Sequence, residues 1–135
     1  ALVFRGANTG LDELTTTDAN QVWLVSGGAV VETSFDARES LGMASSSIED
    51  LAGGEAAENA AVARDVLSGA GADAVRDAVA LNVGAGILAW EGLENPVTCS
   101  DFEPRMRGAV ERALAALADG SGARLVERWV AASNA

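Results

Sequence analysis

The feature that most constrains this chain is a change of apolar period near Ser46. Before it, apolar residues alternate or cluster in short runs; after it, they recur every three or four positions. Residues 2–4, Leu2-Val3-Phe4, read as a short buried strand, and Arg5-Gly6-Ala7-Asn8-Thr9-Gly10 as the loop that follows. Residues 21–25 are strand-like, with Trp23 and Val25 on one face and Val22 and Leu24 on the other. Ser26-Gly27-Gly28 is a turn, and residues 30–35 form the return strand, with Val31, Thr33 and Phe35 facing one way and Glu32 and Ser34 the other. A Gly-Gly turn between two such runs predicts a β-hairpin.

Beyond Ser46 the signals are helical. Ser46-Ser47-Ile48-Glu49 fits a capping box that opens a short helix ending at Gly53-Gly54. Glu55 and Glu58 lie in the first turn of a second helix, where carboxylates complement the dipole, and this helix stops at Gly69-Ala70-Gly71. Asp73 caps a third, in which Val75, Val79, Val83 and Ile87 repeat every four residues. After a loop around Pro96, a fourth helix presents Phe102, Met106, Val110 and Leu114, with Leu117 continuing that side; Pro104 restricts its start, being tolerated only in a first turn. Asp119-Gly120-Ser121-Gly122 breaks it, and a last helix carries Leu125, Val126, Trp129 and Val130 on one face. Strands followed by about five helices predict a mixed α and β domain. So few strands cannot cover every apolar helix face, so further sheet is expected from outside residues 1–135. The apolar run directly after Ala1 likewise reads as an interior segment of a larger polypeptide.

The residue types present prune the chemistry. All nine basic residues are Arg, against twenty acidic ones, for a net charge of −11. Such a surface repels nucleic acid and anionic lipid. Without His there is no imidazole base and no Ser-His-Asp triad, and without Lys no Schiff base and no P-loop lysine. Cys99 is the single cysteine; read as a loop residue with no basic neighbour within two positions, it is a bystander. Carboxylate, guanidinium, hydroxyl and backbone remain, a set that suits a hard, oxygen-seeking cation such as Mg²⁺. The uncharged stretch 78–90 lies between Asp77 and Glu91, is too short to cross a bilayer, and predicts a buried helix. No secretory signal is visible, and a cytoplasmic location is expected.

The most informative segment is 10–17, Gly-Leu-Asp-Glu-Leu-Thr-Thr-Thr. Adjacent acids after a glycine loop near the end of a strand are well placed for a ligand in an open α/β fold. On a turn, both carboxylates can reach one cation; a solvated loop is the alternative reading of the pair alone.

Three motifs in order give this segment a context: GLDEL at 10–14, GGEAAENA at 53–60 and RDAVALN at 76–82. In order and rough spacing the chain resembles the anthranilate phosphoribosyltransferases across essentially its whole length, 1–135. The resemblance implies the C-terminal part of that family's large α/β domain, of nucleoside-phosphorylase/phosphoribosyltransferase-like fold. The family's N-terminal helical dimerisation domain and glycine-rich phosphate loop are absent from this sequence. It also implies a Mg²⁺ site at Asp12 and Glu13, with Gly10 shaping the loop. The implied reaction carries 5-phosphoribose from phosphoribosyl pyrophosphate to anthranilate in tryptophan biosynthesis, in a homodimeric full-length enzyme, with this segment alone inactive. No catalytic residue in the stricter sense is assigned, nor any residue that binds the organic substrates.

Two positions depart from the family pattern: Arg5-Gly6 stands where His-Gly is usual, and Asn8-Thr9-Gly10 carries an extra residue before Leu11-Asp12-Glu13. These departures leave room for a paralogue with another aromatic or nucleoside-like acceptor. A stand-alone domain that binds a partner through an open sheet edge is the third reading. Arg5 itself is expected in a surface ion pair. Glu58-Asn59 reads as capping, Asn82 as an amide bonding a neighbouring backbone, Gly84-Ala85-Gly86 as helix packing rather than a phosphate cradle, and Trp23, Trp90 and Trp129 as core or interface.

Overall fold

The computed structural model describes all residues, 1–135. Strand β1 (Leu2–Gly6), strand β2 (Asn20–Ser26) and strand β3 (Ala29–Phe35) form an antiparallel sheet in the order β1-β2-β3. Ser26 pairs with Ala29 across Gly27-Gly28, and both glycines have positive φ, 56° and 78°. A two-residue turn with two positive φ values is the kind whose twist matches a hairpin, which is why the Gly-Gly pair sits there. Alternation assigns the faces as expected for β2: Asn20, Val22 and Leu24 are buried, while Trp23 lies on the outer face and donates from Nε1 to Glu32 at 3.2 Å.

Helix α1 (Ala37–Leu41) follows directly, a helix the apolar pattern does not disclose because it is one turn long. Its start is chemical: the Asp36 carboxylate accepts from the Arg38 N–H at 2.9 Å, and Gly42 ends it with φ 72°. The capping box expected at Ser46 and Glu49 is displaced by one residue. Ser47 Oγ accepts from Asp50 N at 3.2 Å, Asp50 accepts from Ser47 N at 2.8 Å, and the turn enclosed is only a 3₁₀ segment, Glu49–Leu51. The count of five α-helices is thus met, with α1 in place of the helix expected after Ser46.

Helix α2 (Ala56–Leu67) starts as read. Glu58 accepts from Glu55 N at 2.8 Å, while Asn59 both accepts from Gly54 N at 2.8 Å and donates to Gly54 O at 2.9 Å. A Cβ on Gly54 would lie 2.1 Å from the Glu58 carboxylate, so the glycine pair makes room for the cap that follows it. Helix α3 (Asp73–Glu91) and helix α4 (Cys99–Ala118) pack as a long antiparallel pair beneath the sheet. The most buried face of α3 is Asp77, Ala80, Leu81, Gly84, Ala85 and Leu88; of the valine stripe, Val75 and Val79 are partly buried and pack against the core, while Val83 is exposed. Small residues win that face because α4 approaches closely there. A Cβ on Gly84 would meet Val110 Cγ2 at 2.7 Å, whereas one on Gly86 would meet nothing.

Helix α4 buries Phe102, Met106, Val110 and Leu117 as expected, and Phe102 meets Phe35 edge to face with centroids 5.5 Å apart. It begins earlier than expected, capped by Thr98, whose N–H donates to Asp101 at 2.7 Å. Cys99 is therefore an exposed first helical residue rather than a loop residue, and Pro104 lies in the second turn. Its missing N–H costs the bond from position 104 to the Ser100 carbonyl. Helix α5 (Ser121–Ser133) buries nothing: Leu125, Trp129 and Val130 are exposed, as is Trp90 on α3, so neither Trp90 nor Trp129 belongs to this core. Three strands cover one face of the α3–α4 pair and leave α2 and α5 uncovered. No helix is long and apolar enough to cross a membrane.

Candidate functional site

The connection from β1 to β2, residues 7–19, is irregular but held at almost every residue. Gly6 N donates to Leu11 O at 2.7 Å, closing a turn in which Gly10 has φ 71°. Inside it sits Asp18. Its Oδ2 accepts from Asn8 N at 2.6 Å and Thr9 N at 3.0 Å, and its Oδ1 from the Thr9 and Thr17 hydroxyls at 3.3 and 3.4 Å. Burial pushes this carboxyl up, but the two N–H groups and two hydroxyls outweigh it and hold Asp18 below the ordinary carboxylate range. These bonds hold Asn8 and Thr9 in place. Gly6 makes room for the same arrangement, since a Cβ there would lie 2.2 Å from Thr9 Oγ1 and push that hydroxyl away from Asp18.

On the far side the backbone turns inward. Leu14, Thr15 and Thr16 are buried. Asn82, from α3, accepts from Leu14 N at 3.1 Å and donates to Leu14 O at 2.9 Å. Asn20, fully buried, accepts from Thr15 N at 3.2 Å and donates to Thr15 O at 3.0 Å and Phe35 O at 3.2 Å. Thr16 Oγ1 lies 2.8 Å from Ser46 Oγ, and Arg38 Nη1 donates to Thr17 O at 3.4 Å. Arg38 is itself anchored on Asp36; its guanidinium hydrogen bond keeps Asp36 below the usual range.

Between these two anchored ends lie Asp12 and Glu13. Both are exposed, and neither joins an ion pair. The sequence reading of Asn82 as a backbone-bonding amide agrees with the structure. Its reading of Arg5 does not: Arg5 Nε donates to Gln21 Oε1 at 3.0 Å across the β1–β2 pair, with no acid involved. The roles of Asp18 and Asn20 escaped the sequence reading. The only signal for them was their place at the mouth of a strand, where Asp and Asn side chains tend to bond loop backbone.

No group of three or more acidic, cysteine or histidine side chains gathers anywhere in the chain. The donor set is two adjacent carboxylates open to solvent on a fixed turn. That suits Mg²⁺, which takes one or two carboxylates and completes its six positions with water and phosphate oxygens. It would not suit a cation that needs an all-protein cage. The loop is also no cavity. A groove of about 780 Å³ runs between α2 and α3 past Leu51, Val62, Val66 and Val75, and neither Asp12 nor Glu13 borders it.

Comparison with known proteins gives this loop a setting. The glycosyl transferase family, a/b domain, matches residues 1–123. An anthranilate phosphoribosyltransferase of Arthrobacter sp. (strain FB24) is 46% identical over 130 residues, covering 96% of this chain and 35% of the relative. One from Nocardia farcinica (strain IFM 10152) is 44% identical over 137 residues, covering 99% of this chain and 38% of the relative. The crystal structure of anthranilate phosphoribosyltransferase (TrpD) from Thermus thermophilus superposes with TM-score 0.79 at 34% identity, covering all of this chain and 36% of that one. The Saccharomyces cerevisiae enzyme in complex with 4-fluoroanthranilate, at 18% identity and TM-score 0.72 over 93% of this chain and 33% of that one, shares the fold. The chain spans about a third of the length of the relatives it matches.

Proposed function

The chain belongs to the glycosyl transferase family whose a/b domain matches residues 1–123, and on that premise we propose that the polypeptide carrying it is an anthranilate phosphoribosyltransferase. In this reading, 5-phosphoribose passes from phosphoribosyl pyrophosphate to the amine of anthranilate. Residues 1–135 supply the metal loop, Asp12 and Glu13, and the work of binding both organic substrates falls largely to other parts of the polypeptide. The observation that carries the reading is the near-complete coverage of the chain by relatives of that one name at 44–46% identity.

The chemistry accounts for an acidic loop in an enzyme of anionic substrates. As the bond from ribose C1 to the diphosphate oxygen breaks, negative charge gathers on the leaving group. A magnesium ion bound there would offset that charge and orient the diphosphate. Asp12 and Glu13 would hold the ion as ligands, and neither is asked to move a proton. Their exposure and freedom from ion pairs support this role, because no arginine competes for the oxygens. Arg5, engaged with Gln21, offers no support for a different acceptor. The family resemblance further implies a homodimer.

The test is turnover of the natural polypeptide that carries this segment, with Asp12→Asn and Glu13→Gln combined. Loss of most magnesium-dependent turnover is expected. Unchanged turnover would overturn the metal assignment, and failure of the unmutated protein to consume phosphoribosyl pyrophosphate in the presence of anthranilate would overturn the activity.

A further inference from the structure

Two exposed carboxylates on a loop are useful to a cation only if the backbone beneath them is fixed. Mg²⁺ demands near-ideal octahedral geometry and tolerates ligand displacement poorly. The Asp12 and Glu13 side chains make no hydrogen bond and no ion pair, so their aim is set by the residues on either side. Before them, Leu11 O is held by Gly6 N at 2.7 Å. After them, Leu14 is held at both of its peptide groups by a single side chain, Asn82, at 3.1 and 2.9 Å. A carboxamide carries one acceptor and one donor side by side, so it can replace a strand neighbour for one residue. Asn82 is itself immobilised, because its Nδ2 also donates to Ala78 O, one turn back in α3, at 2.8 Å. The loop is thereby registered against the longest-range partner it has, a helix 68 positions further along the chain. Asn20 does the same to Thr15, but from within the adjoining strand.

We propose that Asn82 is a positioning residue for the Asp12–Glu13 pair, fixing the backbone immediately after Glu13 so that both carboxylates converge on one diphosphate-bound cation. This rests on the metal role proposed above. Residues that orient metal ligands through hydrogen bonds typically change metal affinity by about 10–100-fold when removed. Asn82 does so through main chain rather than through the ligand side chains.

The experiment measures initial rate against Mg²⁺ concentration, at fixed phosphoribosyl pyrophosphate and anthranilate, and in parallel the Mg²⁺ dependence of phosphoribosyl pyrophosphate binding by calorimetry without anthranilate, in the natural polypeptide carrying this segment; the two magnesium requirements are expected to shift together. Asn82→Ala, the isosteric Asn82→Asp, and the Asp12→Asn/Glu13→Gln pair are compared with the parent, each checked for folding by thermal melt. The expected result for either Asn82 variant that folds is a rise of about tenfold in the magnesium needed for half-maximal rate, with kcat at saturating magnesium within a few-fold of the parent. A lower melting temperature or a lower kcat with an unchanged magnesium requirement would overturn the inference and leave Asn82 a structural residue. If the Asp12/Glu13 pair variant also keeps the parent's magnesium response, the metal reading itself fails and the inference goes with it. A shift in the pair variant but not in the Asn82 variants removes the inference alone.

Discussion

Gly84 and Val110 are in such close apposition that a single methyl group would not fit between them. A Cβ at Gly84 would lie 2.7 Å from Val110 Cγ2 and 3.1 Å from Val110 N, and the second of these atoms is main chain and cannot swing aside. Gly84→Ala is therefore expected to destabilise the domain by about 1–3 kcal/mol, the usual cost of overpacking. Gly86, two residues on, faces open space in the same helix. Gly86→Ala is expected to be neutral or to stabilise by up to about 1 kcal/mol, since alanine is the better helix former. Urea unfolding of the two variants checks both signs, and equal effects would mean that the α3–α4 interface is not where it is described.

Asn20 carries a heavier structural load than Asn82. It is fully buried and serves Thr15 N, Thr15 O and Phe35 O. Asn20→Ala leaves those groups unpaired in the interior, at about 1–3 kcal/mol for each that finds no water. It is expected to be the most destabilising single polar substitution in the chain, with a larger drop in denaturation midpoint than Asn82→Ala.

Asp18 makes stability depend on acid. Its folded pKa is depressed because the N–H groups of Asn8 and Thr9 and two hydroxyls overcome the cost of burial. A group depressed on folding contributes stability above its unfolded pKa, about 4, and loses that contribution as pH falls through the folded value. Asp36 behaves in the same sense through Arg38. Stability measured from pH 7 downward should hold level to about pH 4 on account of these two groups and fall below it. Asp18→Asn should lower the plateau and flatten the fall; an unaltered acid limb would show that Asp18 contributes nothing to it.

Asp12→Asn with Glu13→Gln should leave stability within about 0.5 kcal/mol of the parent, as for exposed side chains without partners. Calorimetric melts of the pair variant check this. A large loss would identify the two acids as structural and remove the reason to read them as ligands.

The outlines of the fold were open to sequence reasoning where period and punctuation agree. Gly27-Gly28 marked the hairpin, the Gly53-Gly54 pair with Glu58 and Asn59 marked the start of α2, and Phe102, Met106 and Val110 marked the buried face of α4. Where the reading went astray, a stronger local force was present. Of the α3 valines, Val75 and Val79 lie only partly buried against the core and Val83 is exposed, because close approach of α4 rewards the small side chains of Ala80, Gly84 and Ala85 on the most buried face. α1 was too short to have a period, and Ser47 took the capping role expected of Ser46. At the candidate site, the acids were visible as a motif through family resemblance. Of the side chains that hold their loop, Asn82 was legible as a backbone-bonding amide but its partner, 68 positions away, was not, while Asp18 and Asn20 bond mainly loop residues within ten positions, in an irregular segment that carries no period.

The pairing of Asn82 with Leu14 also has a consequence for the order of events during folding. The sheet joins only chain neighbours, and α3 meets α4 across one short loop, so both units can assemble from local encounters. The 68-residue span between Leu14 and Asn82 is the costlier closure and is expected to form after the sheet has settled on the helices. The loop that carries Asp12 and Glu13 is then expected to be the last part of the domain to acquire its native shape. Weakening the clamp would speed unfolding while leaving the folding rate nearly unchanged, a partition that the two limbs of a chevron plot display directly.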